Sequence, residues 1–453
     1  MDESSSLPLP SLKSRQLRSH LREMQHNPLG FLMKMQEAYG DVVCFMPGKR
    51  STCWINHPEG IRRVLQDNSS NYTDETIQYN LRSTITGKGL LPADDPLLVC
   101  QRDRRQPVFS HPNPAALEQI VIPPVDRLLE RWQTASQNST LLDINSEMMH
   151  LALEVAVRAL FSFDLSDPTS HLTANIRTIL DEINHRVRHP VGLAKFFLTP
   201  RNLKSHGALS ALDAAIYNLI AERRQNDQHN EDMLDALINT RDEETGQPVT
   251  DKQIRDEVIT LLIAIHETVS STLTWGWYLL ARNPVIWERM RAEIVQVLER
   301  RTPRTRDLLE LVYTGWVLNE TMRLYPPVWL TTRQTIQPDE ILRHRVDPET
   351  LIILSPYTVH RHPKFWEEPR RFAPMRFSAE HVAKRPPYAY IPFGGGSRPC
   401  VEDTFTLTGT HLILARITQH FRLLMPPESA SIQAEALVTL RPRGGLPMHV
   451  AAL

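Results

Sequence analysis

The chain has 453 residues with a formal net charge of −1, 41% hydrophobic and 23% charged. That length can bury a large core, and near-neutrality without a basic run gives no footing for nucleic acid. Four scattered cysteines (Cys44, Cys53, Cys100 and Cys400) make no disulfide framework and suit a reducing cytosol.

Met1 to Pro10 is short and polar, with no apolar stretch suited to a signal peptide or membrane anchor. Residues 1–19 are therefore expected to be extended or disordered. His20 to Tyr39 reads as helical and stops at Gly40. Val42 to Met46 and Thr52 to Ile55 are short β-type runs around Pro47-Gly48, a hairpin signal. From about Ala115 to Arg301 the pattern is almost wholly helical. Strand-like runs return from Thr332 to Ile353, and another pair is expected between Ala436 and Val450 around Arg443-Gly444-Gly445. The 34 prolines punctuate helical segments, and no repeat or Gly/Ser linker divides them. Residues 20–453 read as one domain, mainly α with small β-sheets, an α+β class.

The longest predicted helix starts at a capping box, Thr250 with Gln253, and runs to Arg282 before Asn283-Pro284 ends it. Val258 to Ile265 and Leu273 to Ala281 are apolar nearly all round, which marks a helix buried on every side. His266, Glu267, Thr268, Ser270 and Ser271 sit at its middle, where a bilayer would penalise them, so a membrane span is disfavoured. His266-Glu267 begins a zinc-protease pattern, but that pattern needs a second histidine where Ser270 stands. By itself Glu-Thr in a helix is a weak signal, because threonine often bonds back to a carbonyl one turn earlier.

Further on, Glu320 and Arg323 share one helix face, and Pro326-Pro327 stops the helix just beyond. Most such pairs are solvated and contribute little. Here Val317-Leu318 and Met322-Leu324-Tyr325 flank the pair and argue for burial.

The most informative segment is Phe393-Gly394-Gly395-Gly396-Ser397-Arg398-Pro399-Cys400. Its glycines let backbone approach a flat ligand, because no Cβ intervenes. Arg398 offers a planar fork of donors suited to a carboxylate on that ligand. Val401 to Leu424 reads as an amphipathic helix, placing Cys400 at a helix N-terminus where the dipole favours a thiolate able to bind a soft metal. A dinucleotide fingerprint fails at Pro399, and no Cys-x-x-Cys supports zinc. A lone cysteine is ordinarily a small buried hydrophobe, so the case rests on the segment together with the others.

Taken with Ala264 to Val269, Glu320-x-x-Arg323 and Pro374-Met375-Arg376-Phe377, the segment resembles the cytochrome P-450 family, in its bacterial, soluble members. The similarity runs from about Pro28 to Pro447. The resemblance implies that family's single triangular haem domain and haem b (iron protoporphyrin IX), with Cys400 as the iron ligand. Phe393, Gly394 and Ala264 would lie against the porphyrin, and Arg398, Arg333 and Arg102 would meet its propionates. Thr268 would hydrogen-bond dioxygen, and Glu267 would feed the proton relay. Glu320, Arg323 and Arg376 would form a structural triad fixing the approach to Cys400. Val328, Leu330, Leu437 and Val438, with Tyr79 to Ile85, are candidate substrate walls.

The implied activity is monooxygenation of a lipophilic small molecule by dioxygen. Electrons would come from a separate ferredoxin or flavodoxin with its reductase, since no flavin or iron–sulfur module follows the haem domain. A cytoplasmic monomer is expected. Three positions depart from the family pattern: Glu402 replaces a glycine, Ile265 a glycine and Leu98 a Trp or His donor. They motivate an alternative, a catalytically altered haem-thiolate protein that binds ligands or activates a partner. An anionic Glu402 beside a thiolate would also lower the iron potential.

Overall fold

The computed structural model describes residues 23–24, 26–45, 51–74, 76, 113–163, 175–176, 178–179, 182, 200–225, 232–241, 246–427 and 431–453. These fall into two compact units interleaved along the chain. The first collects the described parts of Met1–Gln78, Gly315–Cys400 and Ala434–Arg441; the second collects those of Tyr79–Thr314, Val401–Gln433 and Pro442–Leu453.

The first unit is built on a five-stranded sheet. In spatial order its strands are Val42–Phe45, Thr52–Ile55, Leu351–Leu354, Thr331–Thr335 and Tyr72–Thr73. Thr52–Ile55 runs parallel to Leu351–Leu354, and the other pairings are antiparallel. Residues such as Val42, Ile55, Ile352 and Leu354 bury one face against Ile61, Leu65 and Ile391. Val43, Trp54 and Ile353 bury the other against Phe31, Leu32 and Met35 of the helix Pro28–Tyr39. The predicted short β-type runs therefore become a sheet covered on both faces.

The expected hairpin forms with Cys44 directly opposite Cys53. These two cysteines are joined by a disulfide, which corrects the reading of four unpaired thiols. Their sequence spacing hides that antiparallel pairing brings opposite Cβ atoms within bridging distance. The cysteine count consequently gives no support for a reducing compartment.

The second unit is helical around Asp251–Arg282, which packs along Ile144–Phe161. The capping box forms in both directions: the Thr250 side chain accepts from Gln253 N–H, and the Gln253 side chain accepts from Thr250 N–H. Among the described residues this is the one helix long and apolar enough to cross a membrane, yet 83% of its most apolar stretch is buried in the protein. Its central His266, Glu267, Ser270 and Ser271 are buried too.

Two expectations shift at the C-terminal end. Phe421–Leu424 leaves the predicted helix as a strand, so the helix is Asp403–His420. Pro447–Ala452 pairs with Phe421–Leu424 and Leu141–Asp143 rather than across Arg443-Gly445. The late hairpin is instead Ala434–Ala436 with Leu440–Pro442.

Candidate functional site

The segment ending in Cys400 is held by its own backbone. Cys400 N–H donates to the Phe393 carbonyl at 2.9 Å, closing the loop. Gly394 and Gly396 lie at φ +74° and +71°, the left-handed region where a Cβ is strained. Gly396 has no room at all, since a Cβ there would fall 1.8 Å from the Leu65 carbonyl oxygen. Ser397 N–H donates to that same oxygen at 3.3 Å. Cys400 is part-exposed and stays outside the disulfide. It precedes the first helical residue, Asp403, by three positions rather than one, with Glu402 as the N-cap.

Two of the three expected propionate arginines converge within the first unit. Arg333 meets Asp74 Oδ1 at 2.8 Å, and Arg398 meets Asp74 Oδ2 at 2.7 Å. Arg102 lies outside the described residues, as do Leu98 and Tyr79 to Ile85.

Glu320, Arg323 and Arg376 are brought together. Arg323 donates Nε to Glu320 Oε2 at 2.6 Å and Nη2 to Oε1 at 2.8 Å, and neither side chain is exposed. Arg376 reaches Glu320 Oε1 at 3.4 Å. The remaining lone pairs and donors are used on backbone: Ala373 N–H donates to Glu320, and Arg323 donates to the carbonyls of His360, Pro369 and Arg371. A buried ion pair needs such satisfaction to offset its desolvation. His360 extends the network, its Nε2 accepting from Ile391 N–H at 2.8 Å. Burial holds this imidazole well below its usual range, in the neutral form that such an acceptor requires.

On the long helix, Thr268 Oγ1 donates to the Ala264 carbonyl at 2.7 Å, the back-bond open to any helical threonine. Glu267 is buried beside it in sequence, and Ile265 is fully buried.

Val328 to Leu330 lies beside the late hairpin. Trp329 Nε1 donates to the Leu437 carbonyl at 2.9 Å, and Leu440 N–H donates to Pro327 at 3.2 Å. Trp329 and Leu330, both half-buried, pack against the sheet core with Phe31 and Trp54, whereas Val328 is exposed and Val438 is half-buried.

The family model for Cytochrome P450 matches residues 9–447. The chain belongs to the cytochrome P450 family. Cyclooctatin synthase of Streptomyces melanosporofaciens is 34% identical over 90% of this chain and 88% of its own. Cyclooctat-9-en-7-ol 5-monooxygenase of the same organism is 32% identical over 91% of this chain and 88% of its own. Pentalenene oxygenase of Streptomyces avermitilis is 31% identical over 93% of this chain and 92% of its own. The protein is thus a cytochrome P450 monooxygenase, a haem-dependent oxidoreductase that uses dioxygen and a redox partner on lipophilic substrates.

The residues present suit haem by their chemistry. Asp74 already seats both of its oxygens on Arg333 and Arg398, so these two guanidiniums can close on carboxylates. The loop beside them ends in a thiol outside the disulfide. Glu402 differs from the sequence expectation. Burial, with Glu257 adding like-charge repulsion, pushes its carboxyl up to about 8. A neutral carboxyl removes the premise for a lowered iron potential.

Sequence reasoning passes over Asp74 and His360. An acidic residue next to Glu75 reads as a solvated loop, and His360 lies in a polar stretch, Thr358 to His362, with no spacing signal. Only pairing across the sheet and burial distinguish them.

Proposed function

We propose that Cys400 supplies the thiolate holding haem b, with Arg333, Arg398 and Arg102 receiving its carboxylates and Phe393, Gly394 and Ala264 packing on the porphyrin. When bound, a thiolate-ligated haem activates dioxygen so that one atom enters a C–H or C=C bond and the other leaves as water. The protein's part is positioning, proton handling and exclusion of water. The Glu320–Arg323–Arg376 network fixes Ala373 and the His360 carbonyl, and His360 fixes Ile391, the start of the loop. Cys400 is delivered in one position as a result.

The Thr268 hydroxyl has acceptor lone pairs beside its bond to Ala264, and its O–H can rotate toward dioxygen. Glu267, buried in the same helix, feeds the proton relay that serves that hydroxyl. Val328, Leu330, Leu437 and Val438 form an apolar wall. The relatives named for pentalenene and cyclooctat-9-en-7-ol support a largely apolar alkene, or an alcohol derived from one, as substrate. Residues 20–453 act as one catalytic domain behind the segment 1–19. A ferredoxin or flavodoxin with its reductase delivers electrons to a cytoplasmic monomer.

The observation that carries this reading is the convergence of Arg333 and Arg398 on one carboxylate, beside a glycine loop that ends in Cys400. The test is turnover of a panel of such alkenes and alcohols with a ferredoxin and reductase under isotopically labelled dioxygen. Product carrying one labelled oxygen, lost in Cys400→His, is expected. Unlabelled product, or parental turnover by Cys400→His, refutes the reading.

A further inference from the structure

We propose that Asp74 is a positioning residue for the haem carboxylates: it clamps Arg333 and Arg398 together and cancels part of the charge they present. The inference rests on the haem assignment above but goes beyond it, to a third carboxylate supplied by the chain itself.

Strand register places Asp74 where it is. Tyr72 pairs with Thr335 and Thr73 with Gln334, so the next step along the antiparallel pair brings Asp74 opposite Arg333. Thr76 N–H donates to the Asp74 carbonyl at 2.6 Å. Thr332 Oγ1 donating to Thr76 Oγ1 at 2.9 Å ties Thr76 to the strand carrying Arg333. Arg333 is further fixed by donating Nη1 to Thr331 Oγ1 and to the Thr332 carbonyl. Arg398 arrives from the loop, two residues before Cys400, and takes the other oxygen of the same carboxylate.

Each partner is only 13–17% exposed, so solvent screens the group weakly. Two guanidiniums on one carboxylate would repel each other without it. With it, the formal charge of the trio falls from +2 to +1. The ion pairs with Asp74 run through Nη1 of each arginine, and a guanidinium carries five N–H donors on three nitrogens. A ligand carboxylate therefore meets two cations already oriented, at a lower net positive charge than the arginines alone would give.

Asp74→Asn is nearly isosteric and tests charge and clamp together; Asp74→Glu restores the charge. In haem-replete protein, Asp74→Asn is expected to raise the ferric/ferrous midpoint potential, because removing a negative charge near the haem favours the reduced state. Haem transfer to apomyoglobin is expected to accelerate several-fold, and Asp74→Glu to return both readings toward the parent. The ferrous carbon monoxide spectrum of the parent is recorded alongside, as the separate test of thiolate ligation. A thiolate-type parent with unchanged potential and transfer rate in Asp74→Asn overturns the role of Asp74 alone. A parent that takes up no haem overturns both. Should Asp74→Asn fail to fold, Asp74→Ser takes its place: a raised potential supports the charge role, and a potential equal to the parent's overturns it.

Discussion

Glu320 and Arg323 face each other one turn apart on a helix, joined by two hydrogen bonds at 2.6 and 2.8 Å with no solvent on either side chain. The same spacing on most helices is a solvated pair of small consequence. Here the pair organises four backbone groups from His360 to Ala373. Removing one member leaves the other buried and uncompensated, at a cost of about 3–5 kcal/mol. Glu320→Gln and Arg323→Ala should each shift the denaturant midpoint accordingly and lower haem content per chain. A loss below about 1 kcal/mol in either would mean the network has little structural weight.

Two glycines separate conformational strain from lack of space. Gly40, at φ +84°, has nothing within 4 Å of a Cβ, whereas Gly396 would place one 1.8 Å from the Leu65 carbonyl. Gly40→Ala should cost about 1–3 kcal/mol yet still load haem. Gly396→Ala should displace the loop backbone and fail to load it. Equal haem content in the two variants would contradict the close approach.

Acid stability should carry the signature of Asp41. Its hydrogen bond from His362, with Lys364 alongside, holds the carboxyl down at about 2, against the burial that opposes it. The group's ordinary value of 3.8 applies once the chain unfolds. Its contribution is therefore complete above about pH 4 and lost as pH falls through about 2. Asp41→Asn should cost about 1–2 kcal/mol at neutral pH and flatten the acid limb in that window. Parallel stability–pH curves for parent and variant would disprove it.

Thr268→Ala removes the hydroxyl that bonds Ala264 and leaves the helix otherwise capped and buried. More peroxide should be released per reductant consumed, with Thr268→Ser close to the parent. An unchanged ratio in Thr268→Ala would take this hydroxyl out of proton handling.

Much of the fold is legible in the chain because its signals are local. The Thr250–Gln253 capping box, the apolar run either side of His266 and the Pro326-Pro327 stop each fix an element without distant partners. Glu320 and Arg323 are readable for the same reason. The Cys44–Cys53 bond, the clamp at Asp74 and the pairing of Pro447–Ala452 with Leu141–Asp143 depend on strands distant in sequence or on register. A short strand carries too little pattern to name its partner. Glu402 is another such case: acidic at a helix start, it reads as an anion beside Cys400 until burial makes it a neutral carboxyl.

The most direct measurement is the carbon monoxide difference spectrum of the reduced, haem-replete protein. Sulfur ligation through Cys400 predicts the red-shifted Soret band of a ferrous thiolate complex, lost in Cys400→His while haem is retained. A parent spectrum of the nitrogen-ligated type, or a parent that takes up no porphyrin, would contradict it.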